Sequence, residues 1–476
     1  MPIILYDTLT RRKREFQPVD EGCVKVYVCG PTVYAAPHIG NARPAVVFDV
    51  LVRLLRHTYG ADKVKYARNI TDVEDKILAA AAEAGETPEA ISKKYTEVYH
   101  GNMKALGVQP PDIEPRVTNN MEAIKKMIKN LLDAGHAYEV EGHVLFDVTS
   151  YGAYGTLSKR DREGMIAGAR VETAPYKRDP ADFVLWKPST PEQVGWESAW
   201  GRGRPGWHIE CSAMIEKHLG ETIDIHGGGA DLIFPHNENE CAQSFCTHGK
   251  PLANYWMHNG FVILKMHKIS KSKGNIITVD ELLGENNPGE AIRYALLSAH
   301  YRKPLNWNVE LQTKSEIGLS GLYKAVEQAR GLDASANDID TSLADEEVVK
   351  ALEDDVNTPV ALQNLFRLAK EIRSVKDESE LRRLGDVLVA SGKMMGLLRL
   401  SAKEWFNFRL KRKTGVPDEG PSIKEIRTFV AQRDEYRKNG EFFEADKIRD
   451  ILADMGVIVE DTAEGSVWRY RRLGED

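Results

Sequence analysis

The sequence predicts an α/β fold: a parallel-sheet domain split by an insertion, then a helical-bundle region, then a small mixed α/β domain at the C-terminus. Three observations lead to it. Strand, helix and strand patterns follow one another within about 45 residues near the start. A stretch rich in turns and charge, 120–204, separates this unit from further strand patterns. From Trp307 onward the apolar spacing is helical for about 90 residues, and a Pro- and Gly-punctuated linker follows it.

The elements run in this order. Val24, Val26 and Val28 alternate with Lys25 and Tyr27, which reads as a strand, and the turn Cys29-Gly30-Pro31-Thr32 follows. Val47, Val50, Leu51, Leu54 and Leu55 recur at helical spacing until Gly60 stops the helix. Val64 to Ile70 reads as a second strand ending at Thr71-Asp72, and the βαβ unit so formed requires a parallel sheet. Thr222 to Ile225 is another strand running into His226-Gly227-Gly228-Gly229, and Asn254 to Leu264 holds one more. The segment 120–204 is therefore an insertion between 1–119 and 205–260. Region 261–312 precedes the helical bundle, 313–402. A linker, 403–421, contains Lys411-Arg412-Lys413, Pro417, Gly420 and Pro421. The last piece, 422–476, has one or two helices and then Val457-Ile458-Val459 as a strand.

Composition narrows the class. The chain has 476 residues, 42% hydrophobic and 28% charged, in the range of ordinary multidomain proteins with sizeable cores. No apolar run approaches the roughly 18 residues of a membrane span, and the start, Met1-Pro2-Ile3-Ile4-Leu5, does not read as a signal peptide. Five cysteines in a chain this long fit a reducing cytoplasm, with metal binding or buried thiols as their uses. A net charge of −7 excludes a blanket affinity for nucleic acid, so any RNA contact needs local basic patches.

Two motifs carry chemistry. Pro37-His38-Ile39-Gly40-Asn41 lies between the first strand and the first long helix, where a helix start offers free N–H groups and a positive dipole end to phosphate. Gly40 leaves room for a flat base against the backbone, and His38 and Asn41, three apart, face one ligand. Lys268-Ile269-Ser270-Lys271-Ser272-Lys273-Gly274-Asn275 spaces lysines among serines before a glycine, as a phosphate-gripping loop would. Either alone also reads as an ordinary loop. Together, in this order, they resemble the HIGH and KMSKS sequences of class I aminoacyl-tRNA synthetases.

The resemblance narrows to the cysteinyl-tRNA synthetases. It rests on Cys29-Gly30-Pro31-Thr32-Val33-Tyr34, Arg68-Asn69-Ile70-Thr71-Asp72, Gly206-Trp207-His208-Ile209-Glu210-Cys211-Ser212, Asp224-Ile225-His226-Gly227-Gly228-Gly229 and Phe234-Pro235-His236-Asn237-Glu238-Asn239-Glu240. It continues through Asn357-Thr358-Pro359 and Ala445-Asp446-Lys447-Ile448-Arg449 to Gly465-Ser466-Val467-Trp468-Arg469, and so covers essentially the whole chain. What it implies is a Rossmann-type catalytic domain with a connective insertion, a stem-contact region at 261–312 bearing the KMSKS-like loop, and an anticodon-binding domain at 422–476. The partners implied are ATP, L-cysteine and tRNA(Cys), with Mg2+ accompanying ATP and a monomer expected.

The resemblance also implies one zinc per chain, held by Cys29, Cys211, His236 and Glu240. Cys29 ends a strand, where ligands gather in open α/β sheets, and His236 and Glu240, four apart, share a face if that segment is helical. Two thiolates, an imidazole and a carboxylate make a plausible zinc set. Spacing alone leaves Cys241, His208 and His226 as alternatives, whereas Cys23 and Cys246 read as buried thiols. On zinc a cysteine thiol binds as thiolate, and the serine hydroxyl is a much poorer ligand. A site built around the hetero-atom discriminates by about 10⁴ to 10⁵, or roughly 6 to 7 kcal/mol, against about 1 to 3 kcal/mol for an apolar pocket. No editing domain is then needed.

By the same resemblance, Gly30, Thr71, Trp207 and His226 line the amino-acid pocket. Thr32, His38, Gly40, Asn41, Gly228, Asp231, Lys268 and Lys271 bind ATP, with His38, Asn41, Lys268 and Lys271 catalytic. Three positions depart from the family: Asn41 and Asn237 stand where second histidines are usual, and Ile269 replaces Met. Rival readings are a mycothiol-pathway cysteine ligase, which should lack most of the C-terminal 150 or so residues, a non-catalytic tRNA-binding paralogue, which would require damage at Lys271, His38 or a zinc ligand, and a generic nucleotidyltransferase, which leaves the quartet unexplained.

Overall fold

The structure, a computed structural model, describes residues 2–161, 163–165, 175–264, 267–268, 276–284, 288–414, 423–454, 457–462 and 465–470. Its centre is a parallel sheet in the order Ala253–Asn259, Ile223–Gly229, Val24–Val28, Val64–Arg68. Val26 lies opposite Ile225 on one side and Tyr66 on the other. The two neighbours of Val24–Val28 come from distant parts of the chain, so the strand order reverses beside it. Its carboxyl end is the switch point at which such sheets bind ligands, and Cys29 is the first residue past that end. The helix Ile39–Tyr59 returns the chain across the sheet, burying Val46, Val47, Val50, Leu51, Leu54 and Leu55, and ends at Gly60 with φ 100°. The glycine-bearing stretch that follows Ile225 is part of the strand, up to Gly229. The expected single strand within Asn254–Leu264 is two, Ala253–Asn259 and Val262–Leu264, because the chain breaks at Asn259-Gly260.

The segment 120–204 holds more order than its turns suggest. The helix Met121–Asp133 is followed by an antiparallel sheet of Ala137–Val140, His143–Phe146, Phe183–Pro188 and Gly203–Pro205. Its first hairpin turns at Glu141 and Gly142, both at positive φ (48° and 75°), as a two-residue turn that matches strand twist requires. Ile124, Ile128 and Leu131 pack with Val144, Phe146 and Trp186 in a core that also takes in Ile209, Met214 and Ile215 of the helix Trp207–Leu219.

The helical region consists of Val309–Arg330, Glu346–Glu353, Thr358–Ser374 and Glu378–Met394. It is joined to the parallel-sheet domain through Arg293. This fully buried guanidinium pairs with Asp49 of the helix Ile39–Tyr59, and its Nε donates to the Met395 carbonyl at 2.6 Å. The stretch read as a linker, 403–421, is helical over Ala402–Thr414. The reason is Trp405, which is fully buried, lies parallel to Tyr323 at 4.9 Å and donates to Ser320 Oγ at 3.1 Å. The helix therefore belongs to the bundle, and Pro417, Gly420 and Pro421 lie outside the described residues.

The last piece pairs the helices Ile423–Lys438 and Phe442–Asp454 with a hairpin, Val457–Thr462 against Gly465–Tyr470. It has its own small core of Ile426, Val430, Ile448, Leu452 and Val457. Trp468 packs on that core rather than standing out as a free platform. No helix among the described residues is long and apolar enough to cross a membrane.

Candidate active site and metal centre

Four side chains from four elements meet at the carboxyl end of the central strand. Cys29 follows Val24–Val28, Cys211 sits in the helix Trp207–Leu219, His236 in a wide π-type turn, Ile233–Asn237, and Glu240 in the first turn of Glu238–His248. One donor atom from each lies within 4.8 Å of all the others. His236 Nε2 is 2.6 Å from Glu240 Oε1, and Cys29 Sγ is 3.6 Å from the same oxygen. The alternatives left open by spacing lie to the side. His208 is behind His236, with 3.0 Å between the two Nδ1 atoms, and Cys241 packs with the apolar core. His226 is fully buried, its Nε2 2.6 Å from Glu240 Oε2 and its ring parallel to Trp256 at 4.4 Å.

Electrostatics tie the quartet together. Burial pushes the Cys29 thiol well above its ordinary range, while the hydrogen bond from Cys29 lowers Cys211 to about 6. Burial works against a charged His236, yet the Glu240 carboxylate and Cys211 raise it to about 10. Burial would raise Glu240, but His236 and His226 hold it well below the usual carboxylate range. Burial and mutual contact thus push the two thiols in opposite directions and tie His236 to the Glu240 carboxylate. Two sulfurs, an imidazole and a carboxylate fit zinc. A cation held there would need the thiols deprotonated and the imidazole neutral, so its affinity would fall as the pH falls.

Beside the quartet opens a cavity of about 460 Å³. Of the residues selected from the sequence, Cys29, Gly30, Thr32, His38, Gly40, Asn41, Trp207 and Asp231 line it. Trp207 also lies on the His236 ring, 4.3 Å between centroids. Gly30 is fixed by close approach: a Cβ there would sit 1.6 Å from the Asn69 carbonyl oxygen. Thr71, Gly228 and His226 are not on the wall. Thr71 is buried and bridges to Thr32 across extended segments, and Gly228 packs under Leu232.

At the other end, His38 caps the helix Ile39–Tyr59. Its Nδ1 accepts from the Asn41 backbone N–H at 3.2 Å, and the Asn41 side-chain oxygen accepts from the His38 N–H at 3.2 Å. This reciprocal box gives Asn41 a local role at the helix start. Gly40 fits under it, since a Cβ there would come 2.9 Å from the His38 ring. The helix start is also tied to the segment after the lysine-bearing motif, Ile39 N–H donating to the Ile277 carbonyl at 3.0 Å. Lys268 is in the short strand His267–Lys268, opposite Ile263. Ile269 and Lys271, with the rest of that motif to Asn275, lie outside the described residues.

Sequence reading passed over part of the wall: Arg68, Lys76, Tyr95, Tyr99 and Asn259. Arg68 is buried at the end of the strand Val64–Arg68, over the rings of Tyr66 and Tyr99. Its place at a strand end beside Cys29 was the available signal.

Residues 15–316 match the family described as the class I (C) tRNA synthetase catalytic domain, and 347–399 match the DALR domain. A cysteine-tRNA ligase of Parvibaculum lavamentivorans is 53% identical over 98% of each chain. One of Maricaulis maris is 50% identical over 98% of this chain and 99% of its own. Among solved structures, Mycobacterium tuberculosis methionyl-tRNA synthetase with methionyl-adenylate aligns at TM-score 0.55 and 17% identity, over 81% of this chain and 93% of that one. At that identity the likeness concerns the fold.

Proposed function

The chain belongs to the cysteine-tRNA ligase family of class I tRNA synthetases, and from that membership we propose how its residues divide the work. The reaction is the ATP-dependent activation of L-cysteine to cysteinyl-adenylate and its transfer to the 3′ end of tRNA(Cys). The observation that carries the assignment is the juxtaposition of a buried Cys29, Cys211, His236 and Glu240 quartet with a cavity whose far wall is the helix start at His38 to Asn41.

Cys29, Cys211, His236 and Glu240 would hold zinc. When bound, zinc supplies a Lewis acid that takes sulfur as thiolate and discriminates against a hydroxyl. Trp207 and Gly30 shape the space beside it, with Thr71 and His226 supporting from behind. Thr32, Gly40 and Asp231 position ATP, with Gly228 in the strand beneath Leu232, and Mg2+ would accompany the phosphates. His38 and Asn41 meet the phosphates, and Lys268 and Lys271 meet the leaving pyrophosphate, as the cysteine carboxylate attacks the α-phosphate. Positioning and fixed positive charge are what such a transfer needs from a protein. The enzyme works as a cytoplasmic monomer in this reading. The test is pyrophosphate exchange with ATP: it should require cysteine, fail with serine, and track zinc content measured on the same preparation. Exchange that is independent of zinc would remove the metal from the assignment.

Asn41 gives a sharper test of the ATP side. Asn41→His should stay active, because an imidazole can also close the box with His38. Asn41→Ala loses a hydrogen bond of about 0.5–1.5 kcal/mol, so exchange should slow by up to about tenfold. Unchanged exchange in Asn41→Ala would show that the position does not contribute.

The tail is the proposed anticodon reader. It carries none of the adenylation motifs, and Arg469, Tyr470, Arg471 and Arg472 give its end a local basic and aromatic character. A cut near residue 403 would remove the buried Trp405 from the bundle, so the clean cut lies after Thr414. A chain ending there should still exchange pyrophosphate with ATP in the presence of cysteine. It should charge tRNA poorly through weaker binding, while the intact enzyme's tRNA affinity falls with salt. Normal charging with unchanged apparent tRNA affinity would remove that role from the tail.

A further inference from the structure

Asn237 lies between His236 and Glu238 beside the quartet, and its surroundings give it work. It is fully buried, and its Nδ2 lies 3.4 Å from Glu240 Oε2 and 3.8 Å from Cys29 Sγ. Its Oδ1 is 3.0 Å from Nε2 of buried His258, whose Nδ1 is 2.8 Å from Thr8 Oγ1. The chemistry of the neighbours fixes every role in this chain. A carboxylate and a sulfur accept, so the amide nitrogen must face them and the amide oxygen must face His258. An amide oxygen only accepts, so His258 carries its hydrogen on Nε2 and accepts from the Thr8 hydroxyl at Nδ1. Burial keeps that ring neutral, lowering His258 to about 3. The row Thr8, His258, Asn237 therefore has one direction of donation and ends on two members of the quartet.

We propose that Asn237, held by His258 and Thr8, is a positioning residue of the metal centre that orients the Glu240 carboxylate and the Cys29 sulfur. The proposal rests on the zinc reading above. Glu240 Oε2 is engaged by His226 Nε2 at 2.6 Å as well as by Asn237, which leaves Oε1 as the oxygen facing His236 and Cys29. Outer hydrogen bonds of this kind fix ligand orientation and commonly change metal affinity by about 10- to 100-fold. The amide also differs from what an imidazole would offer at this position. Its two N–H groups can serve Cys29 and Glu240 at once, whereas an imidazole facing His258 has one nitrogen left for both.

The test uses the full chain. Asn237→Asp keeps the shape, removes both N–H groups and adds negative charge. It should bind zinc about 10- to 100-fold more weakly in competition with a chromogenic chelator. The visible bands of its cobalt-substituted form should shift, and KM for cysteine should rise while KM for ATP stays unchanged. Asn237→His should fall between the two. His258→Phe, which leaves Asn237 in place but unanchored, should weaken zinc about tenfold or less and carries the test if Asn237→Asp does not fold. Wild-type protein without zinc would overturn the metal reading itself. Wild-type protein that binds zinc, with Asn237→Asp and His258→Phe both matching its zinc affinity and cobalt spectrum, would overturn the role of Asn237 alone.

Discussion

Cys211→Ser is expected to lose zinc and cysteine affinity together, each by more than about 100-fold. Replacing an outer partner of a metal ligand costs about 10- to 100-fold, and this change removes a ligand itself. At 100-fold the loss is about 2.7 kcal/mol. The Cys211 sulfur is the one whose thiol the Cys29 hydrogen bond lowers to about 6, so it readily offers a thiolate. A serine hydroxyl does not ionise in that range and is a poor zinc ligand. The substitution is nearly isosteric and leaves the helix Trp207–Leu219 intact, so the protein should fold. Preference for cysteine over serine should shrink toward the about 1 to 3 kcal/mol that an apolar pocket provides. Metal analysis and cysteine-binding calorimetry check it, and full zinc occupancy with normal cysteine binding would remove Cys211 from the ligand set.

Lys271→Ala should leave cysteine binding nearly normal and slow adenylate formation by about 10² to 10³, or about 2.7–4 kcal/mol, as expected for removing one donor aimed at developing charge. The lysine would meet the phosphates as pyrophosphate departs, so its contribution belongs to the transition state rather than to substrate binding. Rapid-quench measurement of adenylate separates this from cysteine affinity. Equal weakening of cysteine binding would contradict the assignment.

Much of this molecule was legible in its sequence where long periodic runs or paired motifs coincide. Val24, Val26 and Val28, and the spacing from Val47 to Leu55, mark the sheet and its first helix because both are buried on a regular period. The four proposed ligands came from family likeness, since spacing alone could not separate Cys211, His236 and Glu240 from His208 and Cys241. Only the turn Ile233–Asn237 and the helix after it decide which atoms converge. The insertion's sheet was hidden because its strands are three to six residues long, too short for periodicity to register. Asn237 and His258 were invisible as a pair, for they are joined only when two neighbouring elements fold together. Trp405 misled in the other direction: charge and proline nearby suggested a linker, and one buried aromatic made it a helix.

Arg293 has a consequence for how this architecture can change. A buried guanidinium that loses its carboxylate, or the reverse, costs about 3–5 kcal/mol, and here the pair joins the helix beginning at Ile39 to the carbonyl of Met395. The bundle is therefore inherited with the catalytic half as one unit and is a poor candidate for swapping. The piece from Ile423 onward, with a core of its own, is the part of this chain that recombination could exchange without reopening the rest.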